Sequence, residues 1–325
     1  MLIDIIWLIV GLILIMVGAN FLTDGSSALA KRLGVSDFVV GMTVVAIGTS
    51  MPELVISAIS AANNSAQLAI GNVVGSNIFN LLMIVGVTAL VCPIKIEKRA
   101  LRMEMPLLIL SSFILIVLGN SALLNGDGKN EITRIDSFFL IVLFALFIVY
   151  SIAVSKPKNE NEASNNDKEK NEKKTSGVKI SLLIIAGLIL LIFGGDKFVS
   201  GAKGLAYGLG VSEAVVGLTI VAFGTSLPEL ATSVVAALKN KPGLAIGNVI
   251  GSNISNVLLV LGVSGVINPL TFGNIGNFDL ITLFVASILF LIFGRLFGVR
   301  KITRIEGGLL VLCYLFYIFC LLKKL

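Results

Sequence analysis

Two stretches of this chain nearly repeat one another, GMTVVAIGTSMPELVIS (Gly41–Ser57) and GLTIVAFGTSLPELATS (Gly217–Ser233). After the same interval each is followed by a second match, GNVVGSNIFN (Gly71–Asn80) and GNVIGSNISN (Gly247–Asn256). A constant offset of 176 places Glu53 on Glu229, Ser76 on Ser252 and Asn80 on Asn256. Without a gap, 34 of the 61 positions from Leu33 to Pro93 are identical to their partners. Most of each copy is apolar enough to lie in a membrane. An acid buried there twice, at equivalent positions, is a candidate functional group, because ionisable side chains inside a bilayer mark ion pathways and relays.

Composition supports the membrane setting. Mean hydropathy is +0.99, 56 % of the 325 residues are hydrophobic and only 14 % are charged. A soluble chain of this length could not hide so much apolar surface, whereas a polytopic membrane protein exposes it to lipid. Apolar runs between polar breaks predict about ten spans, near residues 4–22, 37–62, 67–91, 105–120, 135–153, 180–200, 213–238, 244–267, 279–297 and 306–322. The expected fold is an all-α polytopic membrane protein, with two inverted-topology five-helix repeats.

The first span has no basic residue before it and no small-residue cleavage site, so it reads as a retained helix and not as a removed signal peptide. Three scattered cysteines, Cys92, Cys313 and Cys320, make neither a disulfide framework nor a metal cluster. The chain has no histidine, which removes zinc–histidine sites and imidazole acid–base chemistry. Its net charge of +6 reads as a topology signal, with no nucleic-acid partner and no protein partner implied.

With ten spans and both termini outside, 19 of the 25 Lys and Arg fall in inside loops: Lys31, Arg32, Lys95, Lys98, Arg99, Arg102, seven lysines between 156 and 179, Lys239, Lys241, Arg295, Arg300, Lys301 and Arg304. Lys129, Arg134, Lys197, Lys203, Lys323 and Lys324 fall outside, and the asymmetry favours this orientation. The repeat agrees. Lys31–Arg32 precede LGVSD, but Tyr207–Gly208 stand before LGVSE, as expected if the second copy enters the membrane upside down. The expected organisation is a first repeat over 1–154, a flexible cytoplasmic linker over 155–179, polar and poor in large apolar residues, and a second repeat over 180–325. The protein is expected in the cell membrane, with the lipid bilayer as its surroundings.

Chemistry centres on a break in the second and seventh spans. Pro52 and Pro228 each remove a backbone donor, and Gly48 and Gly224 loosen the turn before them. A helix interrupted at membrane depth frees carbonyl groups, tolerated only where they line a cavity. Thr49 with Glu53, and Thr225 with Glu229, are spaced to share one helical face, and Ser50 and Ser226 add oxygens. The partner spans carry Asn72, Ser76 and Asn80, and Asn248, Ser252 and Asn256, at every fourth residue. Gly71 and Gly75, with Gly247 and Gly251, are small-residue faces suited to close helix packing. All-oxygen donors select hard cations such as Na⁺, Ca²⁺ or Mg²⁺, and six to eight oxygens is the number calcium takes.

A single GTS or small-residue pair is explained by helix packing. A lone intramembrane Glu beside Pro is explained by a structural kink. Two units in register, each with its Asn–Ser–Asn stripe, are not. Other acids read differently: Asp37 and Glu213 follow Ser36 and Ser212 as first-turn charges after a capping serine. Asp136, Asp279 and Glu306 sit at span starts and are expected to face water, Asp196 to pair with Lys197, and Trp7 to anchor at the interface.

The paired motifs GTSMPE with GNVVGSNIFN, and GTSLPE with GNVIGSNISN, resemble the two signature repeats of the sodium/calcium exchanger family. The resemblance covers nearly the whole chain. It implies a secondary antiporter, not an enzyme and without a cofactor, that transports Ca²⁺ and Na⁺ electrogenically, with about three Na⁺ per Ca²⁺, by alternating access. By position, it implies that Glu53 and Glu229 hold calcium, joined by the backbone carbonyls of Thr49 and Thr225. Ser50, Ser226, Ser76, Ser252 and the carbonyls of Ala46 and Ala222 resemble the family's sodium ligands, and Asn80 and Asn256 fall at its inner polar positions. Several prokaryotic and potassium-dependent members carry Asp where this chain has Asn256, so the two formal charges here argue against potassium co-transport. The linker is far shorter than the loop of animal exchangers, leaving no counterpart to their calcium-sensing domains.

The expected motion slides or rocks spans 1 and 6 against spans 2, 3, 7 and 8, once the carboxylates are charge-compensated. The closest rival is an H⁺/Ca²⁺ antiporter, since buried carboxylates can carry protons. A passive cation channel fits the inverted repeat less well. An intramembrane hydrolase built on a Glu53–Glu229 dyad is disfavoured by the oxygen ligands crowding both.

Overall fold

The computed structural model describes residues 2–122, 130–155, 176–209, 222–273, 275–295 and 300–323. In hydrocarbon a backbone must close its own hydrogen bonds, and the apolar runs do so as helices. These are α1 (Leu2–Leu33), α2 (Asp37–Thr49), α3 (Met51–Ala62), α4 (Ala66–Val91), α5 (Ala100–Gly119), α6 (Arg134–Ala153), α7 (Gly177–Gly208), α8 (Ala222–Thr225), α9 (Leu227–Leu238), α10 (Pro242–Ile267), α11 (Asn277–Arg295) and α12 (Arg304–Lys323). Among the described residues eight are single helices long and apolar enough to span a membrane, and α2 with α3 forms a ninth span bent by 44°. Of the expected span 213–238, α8 and α9 are seen. Its start, with Ser212 and Glu213, lies outside the described residues, as do 156–175 of the expected linker and Lys129 and Lys324.

The equivalent helices α1 and α7 establish the inversion. They pack along their length in opposite directions on three glycine pairs offset by 176: Gly11 and Gly187, Gly18 and Gly194, Gly25 and Gly201. A Cβ on Gly18 would lie 2.8 Å from Leu191 N and 2.9 Å from Gly187 O; one on Gly194 would lie 2.9 Å from Ile15 N. Only hydrogen fits between these backbones, so the glycines set the approach of the two helices.

Two short antiparallel ribbons then tie one repeat to the other. β1 (Ile94–Lys95) pairs with β4 (Lys301–Ile302), Ile94 opposite Ile302. β2 (Glu131–Ile132) pairs with β3 (Leu270–Thr271), Ile132 opposite Leu270. All four of those apolar residues are buried. The core lies around α4 and α10: 78 % of the most apolar stretch of each is buried, against a third or less in the other six single-helix spans among the described residues. Gly247 and Gly251 of α10 meet the backbone of α2 at Phe38 and Met42 as small-residue faces should. The equivalent partners of Gly71 and Gly75, residues 214 and 218, lie outside the described residues.

The helix ends correct one expectation. Ser36 does cap α2, accepting from Val39 N–H at 3.4 Å, but the acids at later span starts do not simply face water. Asp136 and Thr133 form a reciprocal capping box at α6, and Glu306 makes the same contact to Thr303 at α12 while itself buried. Asp279 accepts from Tyr317 Oη at 2.9 Å. Unsatisfied N–H groups at a helix start draw these carboxylates inward.

Candidate cation-binding site

The break at Ser50 builds the first half of the site. Ser50 leaves the helical path (φ −81°, ψ 6°), and Ser226 does the same in the second repeat (φ −90°, ψ 5°). Pro52 and Pro228 have no N–H to offer the carbonyls of Gly48 and Gly224, and the helix resumes with Leu54 N–H on Ser50 O (3.1 Å) and Leu230 N–H on Ser226 O (3.0 Å).

At the break the serine hydroxyls reach the carboxylates of the opposite repeat. Ser50 Oγ donates to Glu229 Oε1 at 3.2 Å, and Ser226 Oγ donates to Glu53 Oε1 at 3.4 Å. Thr49 Oγ1 also donates to Asn248 Oδ1 at 3.1 Å. Glu53, Glu229, Thr49, Ser50, Ser226 and Thr225 are all buried.

Asn72 and Asn248 brace the breaks. Asn72 Nδ2 donates to Glu53 O (3.3 Å) and Ser57 Oγ (3.0 Å). Asn248 Nδ2 donates to Glu229 O (3.3 Å) and Ser233 Oγ (3.1 Å). Deeper along the stripe the two repeats part company. Asn256 Nδ2 donates to Ser76 Oγ (3.2 Å) and Asn77 Oδ1 (3.0 Å), whereas neither amide atom of buried Asn80 has a partner among the described residues. Both asparagines sit in widened helical turns, Phe79–Ile84 and Asn256–Val260, a distortion common at functional sites.

Of the expected ligands, Ser76 is engaged by Val73 O and Asn256. Ala46 O already accepts from Ser50 N–H (3.0 Å) and Thr49 Oγ1 (3.4 Å). Ala222 begins α8, and the start of its span lies outside the described residues. Glu53 Oε2, Glu229 Oε2, Ser252 Oγ, Asn256 Oδ1 and Asn80 Oδ1 are buried oxygens without a hydrogen-bond partner among the described residues. Asn77, Asn253, Ser57 and Ser233 escaped the sequence reading. Asn77 Nδ2 donates to Asn253 O at 3.1 Å across the repeats. Both pairs obey the 176 offset, which was the signal that could have found them.

Two carboxylates thus sit buried with hydroxyl partners, the second oxygen of each unpaired among the described residues. Buried charge of this kind demands compensation, and an all-oxygen donor set suits a hard cation. Beside it a cavity of about 400 Å³ is lined by Pro52, Gly224, Thr225 and Pro228, and by Asp196 and Lys203 of α7. Asp196 lies 3.4 Å from Lys197, as expected.

Comparison with known proteins places this geometry. The sodium/calcium exchanger protein family matches residues 3–153 and 179–323. The sodium/calcium exchanger MaX1 of Methanosarcina acetivorans is 33 % identical, over 96 % of each chain. The inner membrane protein YrbG of Escherichia coli is 35 % identical, over 81 % of this chain and 79 % of its own. A solved structure of the sodium-calcium exchanger NCX_Mj, soaked with Na⁺ and Sr²⁺, matches with a TM-score of 0.82 and 32 % identity over 98 % of each chain. The chain therefore belongs to the sodium/calcium exchanger family, as a multi-pass membrane transporter that exchanges cations for Ca²⁺ and not an enzyme.

Proposed function

We propose that this protein exchanges Na⁺ for Ca²⁺ electrogenically, with about three Na⁺ per Ca²⁺, by alternating access between two inverted repeats. The observation that carries the reading is the crossed pair Ser50–Glu229 and Ser226–Glu53, with the second oxygen of each carboxylate unpartnered among the described residues. Ca²⁺ would be held by Glu53 and Glu229 with the carbonyls of Thr49 and Thr225. Na⁺ would draw on Ser50, Ser226, Ser76, Ser252 and the carbonyls of Ala46 and Ala222, with Asn80 and Asn256 at the inner positions. Ser252 and Asn80, one from each repeat and both without a hydrogen-bond partner among the described residues, support that set. The engaged Ala46 carbonyl and Ser76 hydroxyl would have to exchange partners on binding.

The repeats would span 1–154 and 180–325, with 155–179 as a cytoplasmic linker and both termini outside. Contacts among the basic loops support this sidedness. Lys95 pairs with Lys301, Lys241 contacts Ser27 and lies 3.9 Å from Asp37, and Gly177 lies beside Arg32. The cavity beside Pro52 and Pro228 flanks the halves of α3 and α7 away from that basic face, so the outer side would be the open one.

The test is ⁴⁵Ca²⁺ uptake into proteoliposomes loaded with Na⁺, with K⁺-loaded and pH-gradient controls. Uptake driven only by outward Na⁺ is expected. Uptake that ignores Na⁺ and follows the pH gradient would assign the coupling to protons, and uncoupled flux would indicate a channel.

A further inference from the structure

A backbone carbonyl can only accept a hydrogen bond, and two carbonyls fix which way the Asn256 amide points. Asn77 Nδ2 donates to Asn253 O at 3.1 Å across the repeats, so Asn77 presents its Oδ1 on the other side. Ser76 Oγ spends its one hydrogen on Val73 O at 3.2 Å and has only lone pairs left to offer. Asn256 Nδ2 donates to both, to Asn77 Oδ1 at 3.0 Å and to Ser76 Oγ at 3.2 Å. Both hydrogens of that amide are thereby used. Its Oδ1 is left buried and without a hydrogen-bond partner among the described residues. A flipped amide would set oxygen against two acceptors with no proton between them.

The offset of 176 turns these contacts into a mirror set: Asn253 Nδ2 on Asn77 O, and Asn80 Nδ2 on Asn253 Oδ1 and Ser252 Oγ. That set is not made. Asn253 Nδ2 donates to Val249 O of its own helix at 2.8 Å. Asn253 Oδ1, Ser252 Oγ and both amide atoms of Asn80 are buried without a partner among the described residues. One asparagine of the equivalent pair is oriented and the other is not, and Asn77 makes the difference.

We propose that Asn77 is a positioning residue that sets the specificity of the exchange site. It turns Asn256 into an acceptor-only, neutral oxygen ligand for a monovalent cation, and it opposes a carboxylate at position 256. A carboxylate there would place an oxygen where Nδ2 now stands, 3.0 Å from Asn77 Oδ1. Asn77 could escape only by turning its own oxygen onto Asn253 O. Asn77 and Asn256 are therefore a matched pair, which holds the formal charge of the site to that of Glu53 and Glu229. The inference rests on the sodium reading above only for the identity of the cation.

Thermal midpoints of the purified full chain in detergent test this without transport, with Na⁺ titrated against N-methyl-D-glucamine at constant ionic strength. The half-stabilising Na⁺ concentration should rise about fivefold in Asn77→Ala, as for the loss of one hydrogen bond. Asn256→Ala should raise it at least as far, and Asn77→Ala should add nothing in that background. A merely structural residue would instead add its effect in both. A second comparison needs no cation and is made in N-methyl-D-glucamine alone, at pH 9 to keep an introduced carboxyl ionised. Asn256→Asp should lower the midpoint by about 5 °C, and Asn77→Ser, whose hydroxyl can donate to the carboxylate, should recover most of the loss. In the wild-type background the same Asn77→Ser should lower the midpoint. Additive effects of Asn77→Ala and Asn256→Ala on the Na⁺ response would overturn the proposal, and so would an Asn77→Ser that lowers the midpoint in both backgrounds. A wild type indifferent to Na⁺ would count against the sodium reading instead, and the cation-free rescue would then decide the role of Asn77.

Discussion

At the scale of single residues, the crossed hydroxyl–carboxylate contacts make each Glu depend on the opposite repeat. Glu53→Gln and Glu229→Gln keep the side-chain volume and can still accept from Ser226 and Ser50, so both variants should fold. Each removes one of the two charges that a divalent ion needs, and calcium exchange should fall below detection. Near-wild-type ⁴⁵Ca²⁺ flux in either variant would remove that residue from the ligand set. Asn248→Ala should act differently, through structure. It strips partners from Thr49 Oγ1, Glu229 O and Ser233 Oγ at once, and buried polar groups left unpaired cost about 1–3 kcal/mol. A clear fall in the thermal midpoint in detergent is expected along with lost exchange; an unchanged midpoint would show that Asn248 does not brace the break.

At the scale of elements, the seam between α1 and α7 is where the equivalent helices of the two repeats hold each other by close backbone contact. Gly18→Ala drives a methyl against the backbone at Gly187 and Leu191, and overpacking of this kind costs about 1–3 kcal/mol. Exposed Ile13 on the same helix provides the control, since Ile13→Ala touches lipid and not the seam. The melting temperature and exchange rate of Gly18→Ala should both drop while those of Ile13→Ala hold. Equal behaviour of the two would mean that α7 can back away without loss. The bent pair α2–α3 illustrates the opposite demand, a helix made to break. Its 44° bend is the consequence of a proline that supplies no donor beside a serine outside the helical basin.

At the scale of the whole molecule, the two faces are not equivalent. On the basic face Lys239 Nζ lies 2.7 Å from Asp24 and 3.4 Å from Asn20 O, and Lys241 reaches Ser27 and Asp37, joining the α9–α10 turn to α1 and α2. By the offset of 176 the positions of Lys239, Lys241 and Asp24 are held in the opposite repeat by Asn63, Ser65 and Ser200, which cannot form ion pairs. The basic face is thus the latched one. Exposed pairs contribute only about 0.2–1 kcal/mol each, enough to bias a conformational equilibrium severalfold without threatening the fold. Lys239→Gln should raise hydrogen–deuterium exchange in residues 236–245, and the swap Asp24→Lys with Lys239→Asp should restore protection. Exchange that is indifferent to both would leave the latch without effect.

Much of this was legible in one chain because the repeat reported itself. The 176 offset, the proline breaks and the asparagine stripes identified the carboxylates, the unit that carries them and its inversion, since apolar run length dictates spans and buried acids need a purpose. Residue spacing along one helix could not show that Ser50 and Ser226 would reach the carboxylate of the opposite repeat. Asn77, the saturation of Ala46 O and the inequality of Asn80 and Asn256 depend on contacts between residues some 176–180 positions apart. The sequence by itself determined which side chains must be buried and which ends carry charge. Only the tertiary structure decided which repeat serves which carboxylate, because that is a matter of how two inverted units dock and not of periodicity within either.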